Sequence, residues 1–225
     1  MMVATRSMAH DGGDGTRAGP SRVRPDRRRQ PHVAASDVRA VPSGSARPRP
    51  KLPLLTRRLR LRRIRRSDAT AFAQMFHDPE VHRYLSRRRA RESGLAFVRR
   101  AGESARAATA FRLVVEDRRT RSFVGTVGLV GLDWEEGHAE LVYSFRREVW
   151  GRGYATEAGA RVVRWAFGEL KLHRLGAGVT DGNVRSVRVL RKLGFRPEGR
   201  RRQARRSGSM WVDDLEFGLV DGRRP

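Results

Sequence analysis

The chain has 225 residues, and its 49 lysines and arginines against 24 aspartates and glutamates give a formal charge of +25. That length suits one ordinary domain with a tail rather than two domains. With no cysteine present, disulfides, thiolate metal sites and a cysteine nucleophile are excluded, which fits a cytoplasmic setting.

Residues 1–50 hold ten arginines and four aspartates but no Leu, Ile, Phe, Trp or Tyr. Such a segment buries too little apolar surface to offset its ordering entropy, so it reads as a disordered basic arm. Pro42, Pro48, Pro50 and Pro53 punctuate the join to a domain expected over 51–222. No apolar stretch of signal-peptide type opens the chain, and no segment approaches a membrane span. The six histidines show no ligand spacing, so no metal is expected. Only Lys51, Lys171 and Lys192 are lysines. Arginine therefore replaces lysine almost everywhere, as a coding bias would produce. The basic field would still attract phosphates, either of a nucleotide cofactor or of RNA and the ribosome. A nucleic-acid face would more often interleave aromatics, which are scarce here.

In chain order, Leu59 and Leu61 alternate with arginines as a half-buried first strand would. Ser67-Asp68 offers an N-cap for a helix whose Ala69, Phe72, Ala73 and Phe76 share one face, until Asp78-Pro79 breaks it. A second, weaker helix is expected over 90–105. The period then changes. Residues 111–115, a turn over 116–121 and residues 123–130 read as an antiparallel hairpin. In the strand 138–145, Leu141, Tyr143 and Phe145 face one way and Glu140, Val142 and Ser144 the other. Ala155, Ala158, Val162, Trp165, Ala166 and Leu170 mark a long amphipathic helix. Leu175, Ala177 and Val179 form a strand, residues 183–193 a helix, and residues 211–220 a final strand. Adjacent strands joined by hairpins, with one clear crossover helix, predict an α+β fold with a mixed sheet.

The segment Trp150-Gly-Arg-Gly-Tyr-Ala-Thr-Glu157 lies between a strand and the start of the long helix. The first amides of a helix have no internal partner, and the macrodipole makes that end positive. Gly151 and Gly153 leave room for a diphosphate to approach them, and Arg152 adds a charge. An isolated Gly-x-Gly more often makes only a turn. No P-loop lysine follows, however, and Thr156 stands where a dinucleotide fingerprint needs its third glycine.

This stretch resembles motif A of the GNAT superfamily, Gln/Arg-x-x-Gly-x-Gly/Ala, with Gly153 and Ala155 in the defining positions. Trp150 replaces the usual first residue, as in the RimJ/RimL-type branch, which carries a similar Trp-Gly-x-Gly-Tyr-Ala-Thr-Glu-Ala. Asn183-Val-Arg-Ser186 and Lys192-Leu-Gly-Phe195 resemble a second family block, and the likeness spans residues 54–220. The resemblance implies a three-layer α/β/α fold with a mostly antiparallel sheet, helices on both faces and one splayed strand pair. It implies acetyl-CoA as co-substrate, its diphosphate held by the loop of Gly151, Arg152, Gly153, Tyr154, Ala155 and Thr156. Its pantetheine would meet the main chain of Tyr143, Ser144 and Phe145, together with Asn183 and Lys192. Where many members carry a tyrosine acid this chain has Leu190, which leaves Ser186 as the expected donor to sulfur. Glu140 is the expected general base, and Asp213, Asp214 and His138 are weaker candidates. The implied reaction is direct attack of an amine on the thioester, with a protein N-terminus such as that of a ribosomal protein as the first choice of acceptor. A small amine, or an RNA- or ribosome-binding role for the arginine surface, remains as an alternative. A monomer or homodimer with no membrane association is expected.

Overall fold

The computed structural model describes residues 51–85, 91–207 and 210–222. The expected basic arm, residues 1–50, lies outside them. Strands β1 (Leu54–Leu55) and β2 (Leu59–Arg63) lead through a 3-10 turn (Arg66–Asp68) to helix α1 (Ala69–His77), the single turn α2 (Pro79–His82) and helix α3 (Gly94–Arg106). Strands β3 (Ala110–Asp117), β4 (Phe123–Asp133) and β5 (His138–Phe145) then form a meander. Helix α4 (Tyr154–Gly168), strand β6 (Arg174–Thr180), helix α5 (Val184–Lys192) and strands β7 (Arg196–Ser207) and β8 (Met210–Val220) complete the order.

The strands form one sheet in the order β1-β2-β3-β4-β5-β6-β8-β7. Every neighbouring pair is antiparallel except β5–β6. Alternation along each strand sorts the sheet into two faces. Leu61, Leu113, Val127, Leu141, Tyr143 and Val179 turn to the side covered by α4 and α5, where they bury Val162, Trp165 and Leu190. Trp165 is fully buried, its ring 5.6 Å from that of Phe111 at a steep angle. On the other face Val114 meets Phe72, Met75, Phe76 and Phe97 of α1 and α3, with the Phe72 ring stacked on Phe76 at 5.8 Å and the Phe97 ring tilted or edge-on to them at 4.5 and 5.3 Å. Helices therefore cover both faces, as expected.

The parallel pair is short. His138–Glu140 pair with Arg174–Gly176, and there the ladder stops. Strand β5 continues to Phe145 beside β4, and β6 continues to Thr180 beside β8. The two strands diverge, and a V opens between them.

Three expectations need correction. Asp68 precedes α1 without capping it, because its carboxylate accepts from the Arg65 N–H at 2.6 Å and from both Arg62 terminal nitrogens. Glu116 is a buried residue of β3 rather than part of the turn. The turn is held instead by the Asp117 carboxylate, which accepts from the N–H groups of Arg119 and Thr120. Strand β7 was not anticipated, since its Arg-Pro-Glu-Gly-Arg run has no apolar alternation. It forms because β8 supplies a ladder and carboxylates, with Arg200 bonded to Asp213, Arg201 to Glu216 and Arg205 to Asp214, while Asp181 just after β6 adds a second acid for Arg200.

Arg62 sits between two carboxylates, 2.7 Å from Asp68 and 2.5 Å from Glu116, with little side-chain exposure on any of the three. Burial pushes both carboxyl groups up, but the hydrogen bonds and charge of Arg62 outweigh it, and both end below their ordinary values. A carboxylate depressed on folding contributes stability that is complete above its unfolded value of about 4 and is lost as pH falls through the folded value. Asp68→Asn should therefore cost about 3 kcal/mol at neutral pH. In urea melts across pH, that difference should shrink steadily below about pH 4, where the wild type loses the same contribution.

Candidate active site

The open end of the V faces the start of α4. Gly151 and Gly153 hold φ of +79° and +77°, and an added β-carbon at Gly153 would meet only Arg58 Nη2, at 3.4 Å. Left-handed backbone, rather than crowding, is thus what requires glycine at both positions. Gly153 is the N-cap and offers no side-chain acceptor. The first helical bond runs from the Glu157 N–H to Gly153 O at 3.0 Å. Among the described residues the N–H groups of Tyr154, Ala155 and Thr156 meet no acceptor. Three bare donors at the positive end of a four-turn helix make a seat for an anion.

The loop is fastened from behind. The Glu157 carboxylate accepts from Thr56 Oγ1 at 2.6 Å, from the Arg58 N–H at 2.8 Å and from Arg58 Nε at 2.6 Å. Arg58 also donates to Arg152 O at 2.9 Å and lies 4.6 Å from the centre of the Tyr154 ring. Burial raises the Glu157 pKa, but these bonds outweigh it and hold the carboxyl below its usual value. The Tyr154 hydroxyl donates to Asp117 Oδ2 at 2.7 Å, which raises its own pKa. Thus Tyr154 offers its N–H to the cleft, while its ring and hydroxyl serve the scaffold.

The cleft in front of these amides is lined by Phe145, Val149–Gly151, Gly153–Thr156 and, from α5, Arg185, Arg188, Val189 and Lys192. The lining cations come from α5, at the i, i+3 and i+7 positions of one helix face. Arg152, expected to supply the charge, is exposed and is not among the lining residues. Arg185 and Arg188 were missed because a basic helix in so basic a chain carries no distinguishing signal. Trp150 has two tasks. Its indole N–H donates to Phe145 O at 2.8 Å, and its ring lies under the Arg185 guanidinium at 5.2 Å.

Within the V, ladder alternation fixes which main-chain groups are free. The Arg146 N–H donates to Val124 O on β4, so the N–H groups of Ser144 and Val142 point the same way. Those of Tyr143 and Phe145 point into the gap that β6 has left. The Ser144 main chain is therefore committed to Thr126, and its hydroxyl is buried on the opposite face without a partner. Tyr143 is buried, with its phenol pushed up by burial and donating to Ser186 O at 3.3 Å.

Asn183 is the buried N-cap of α5, accepting from the Ser186 N–H at 3.2 Å. Neither Asn183 nor Ser186 lines the cleft, and Ser186 has no exposed surface. The reason is helical phase: Ser186 and Leu190 point into the core, while Arg185, Arg188 and Lys192 point out. Glu140 stands half-buried at the last rung before the V opens, opposite Gly176. The weaker candidates are placed less well. Asp213 is bound by Arg200 at 2.7 Å and the Gln203 N–H at 2.8 Å, Asp214 is paired with Arg205, and His138 sits at the closed end of the V beside His173. Among the described residues no cluster of three or more His, Cys, Asp or Glu side chains is placed to hold a metal. Among them, too, no helix is long and apolar enough to cross a membrane.

Residues 58–196 match the model of the acetyltransferase (GNAT) domain family. The chain is 35% identical over 174 residues to the uncharacterized N-acetyltransferase YoaA of Bacillus subtilis, covering 76% of this chain and 98% of that one. The fold is similar to that of ribosomal-protein-S5-alanine acetyltransferase from Vibrio fischeri, with a TM-score of 0.67 at 24% identity over 77% of this chain and all of that one. It is also similar to spermidine N-acetyltransferase from Vibrio cholerae in complex with CoA and spermine, with a TM-score of 0.66 at 21% identity, covering 73% and 96% of the two chains.

Gly153→Glu places a carboxylate against the bare amides and strains the left-handed position. Calorimetry should find acetyl-CoA affinity at least about a hundredfold weaker, with the far-ultraviolet circular dichroism unchanged. Retained affinity would rule out this junction as the diphosphate seat.

Proposed function

This chain belongs to the acetyltransferase (GNAT) domain family and is an acetyl-CoA-dependent N-acetyltransferase, and on that premise we propose that its acceptor is the α-amine of a protein N-terminus. The observation that carries the chemistry is the pair of free N–H groups in the V, continuous with the bare amides that open α4. Acetyl-CoA supplies an activated acetyl thioester. Its diphosphate would lie on the amides of Tyr154, Ala155 and Thr156, with Arg185, Arg188 and Lys192 offsetting the phosphate charge. The N–H groups of Tyr143 and Phe145 would flank pantetheine and polarise the carbonyl oxygen as it gains charge.

In the reaction the neutral amine attacks the carbonyl carbon, the nitrogen–carbon bond forms and the carbon–sulfur bond breaks. The amine gives up one proton, and the sulfur leaves as thiolate and takes one up. Glu140, at the fork of the V, is the proposed acceptor of the amine's proton, directly or through water. The proposal includes no side-chain donor for sulfur, since Ser186 is fully buried and Leu190 occupies the other position on that helix. Holding amine and thioester in register supplies most of the rate.

The acceptor class is favoured by charge. A chain of net +25 opposes the approach of polycations, so a polyamine such as that bound by the Vibrio cholerae neighbour suits it poorly. A protein N-terminus brings a single positive charge and becomes neutral near physiological pH. A panel of peptides and small amines, read by thiol release, tests this, and faster turnover of spermidine than of every peptide would overturn it. In the same assay Glu140→Gln should lower kcat by about ten- to a hundredfold, and Ser186→Ala should change it by less than about threefold.

A further inference from the structure

The coenzyme cleft lies on the α4 and α5 side of the sheet, so the acceptor must reach the V from the opposite face. That face carries Glu140, the proposed base, and also polar groups which the transfer itself does not use. Glu140, Val142 and Ser144 point to it from β5. Val142 stands beside Gly128 of β4, which stands beside Arg112 of β3. Ala110, Val130 and Val142 make a small apolar patch there, separate from both cores.

Arg112 is half-buried. Among the described residues it has no side-chain hydrogen bond and no carboxylate at ion-pair distance. Its guanidinium lies 5.7 Å from the centre of the Phe97 ring. A second guanidinium shares that ring, Arg100 at 5.6 Å, but Glu92 holds it bidentately at 2.8 and 2.7 Å. One of the two cations is thus neutralised and the other is not. Burial first, and the charge of Arg100 second, push the Arg112 pKa down to about 10, with Glu92 offsetting part of the shift. Ser144 is 3% exposed, and its hydroxyl is buried with no partner. An unpaired guanidinium and an orphaned hydroxyl on one face call for a ligand rich in acceptor oxygens.

We propose that this face binds the acceptor and that Arg112 recognises a carboxylate or phosphate attached close to the acceptor amine, with the Ser144 hydroxyl completing the polar lining. The inference rests on the proposed acetyl transfer to a primary amine and specifies its substrate class. Two strand spacings, roughly 10 Å, separate the backbones of Arg112 and Val142. The guanidinium is laid on Phe97 of α3, so the anion it meets lies within about 10 Å of the amine. The first or second residue of a peptide satisfies this span, and so does a free amino acid.

The test is steady-state acetylation of matched acceptor pairs followed by thiol release. One arm compares peptides with aspartate or asparagine as second residue. The other compares glycine with glycinamide and 2-aminoethyl phosphate with ethanolamine. The anionic member should be favoured at least about tenfold in kcat/KM in one arm, which also identifies the source, and the preference should lie in KM. Arg112→Met should bring the ratio close to one, and Arg112→Lys should keep part of it, in proteins that still bind acetyl-CoA and have therefore folded. A wild-type ratio near one in both arms would overturn the inference, as would an Arg112→Met variant that slows both members of a pair equally. Absence of thiol release with every amine, despite acetyl-CoA binding, would instead reject the transfer reading and this inference with it.

Discussion

Strand β5 loses its partner on one side three residues after it begins, and the rest of the site follows from that loss. A strand interior normally has both edges paired, because unpaired main-chain groups inside a protein are costly. Here the cost is limited, since β4 continues to bond the other edge as far as Phe145 and the Trp150 indole takes the Phe145 carbonyl. The N–H groups left over point into a gap that water or a ligand can fill. The gap leads directly to the start of α4, whose first amides are also unpaired. Two sets of bare donors, one from a strand edge and one from a helix end, are thereby aligned along one path.

Such an arrangement holds only if the junction is rigid. Glu157 provides that rigidity by binding Thr56 and Arg58 from the first turn of α4, which ties the helix start to the β1–β2 turn about a hundred residues away in sequence. Tyr154 adds a second tie, to Asp117 at the β3–β4 turn. The side chains facing away from the cleft position the amides that face into it. The acetyl group would then be held by main chain on a fixed scaffold, which is where positioning contributes most to rate.

The arginine surplus divides by partner. Arg58, Arg62, Arg100, Arg200, Arg201 and Arg205 are committed to carboxylates within the domain. Arg185 is laid over an aromatic ring at the cleft, and Arg112 over another on the opposite face. Each such pair is neutral, so the surplus of +25 lies on the cations outside these pairs. Committed cations are not available to release counterions from a phosphate backbone.

Periodicity was legible in the sequence. The alternation of Leu141, Tyr143 and Phe145, the apolar face from Ala155 to Leu170 and the glycine turn before that helix all depend on neighbours a few residues apart, and each has its expected place. The family resemblance carried the α+β fold, the coenzyme and the acetyl-transfer chemistry further than periodicity alone allowed. Tertiary structure decided what depends on contacts distant in sequence. It turned Ser186 into the core by helical phase, and it assigned the cleft charge to Arg185 and Arg188 instead of Arg152. It also made a strand of the arginine-rich segment 196–207, because β8 offered it a ladder and acids. Arg112 and Ser144 came to share a face only when three strands were laid side by side, since register between strands is set by the whole sheet and not by any one segment of it.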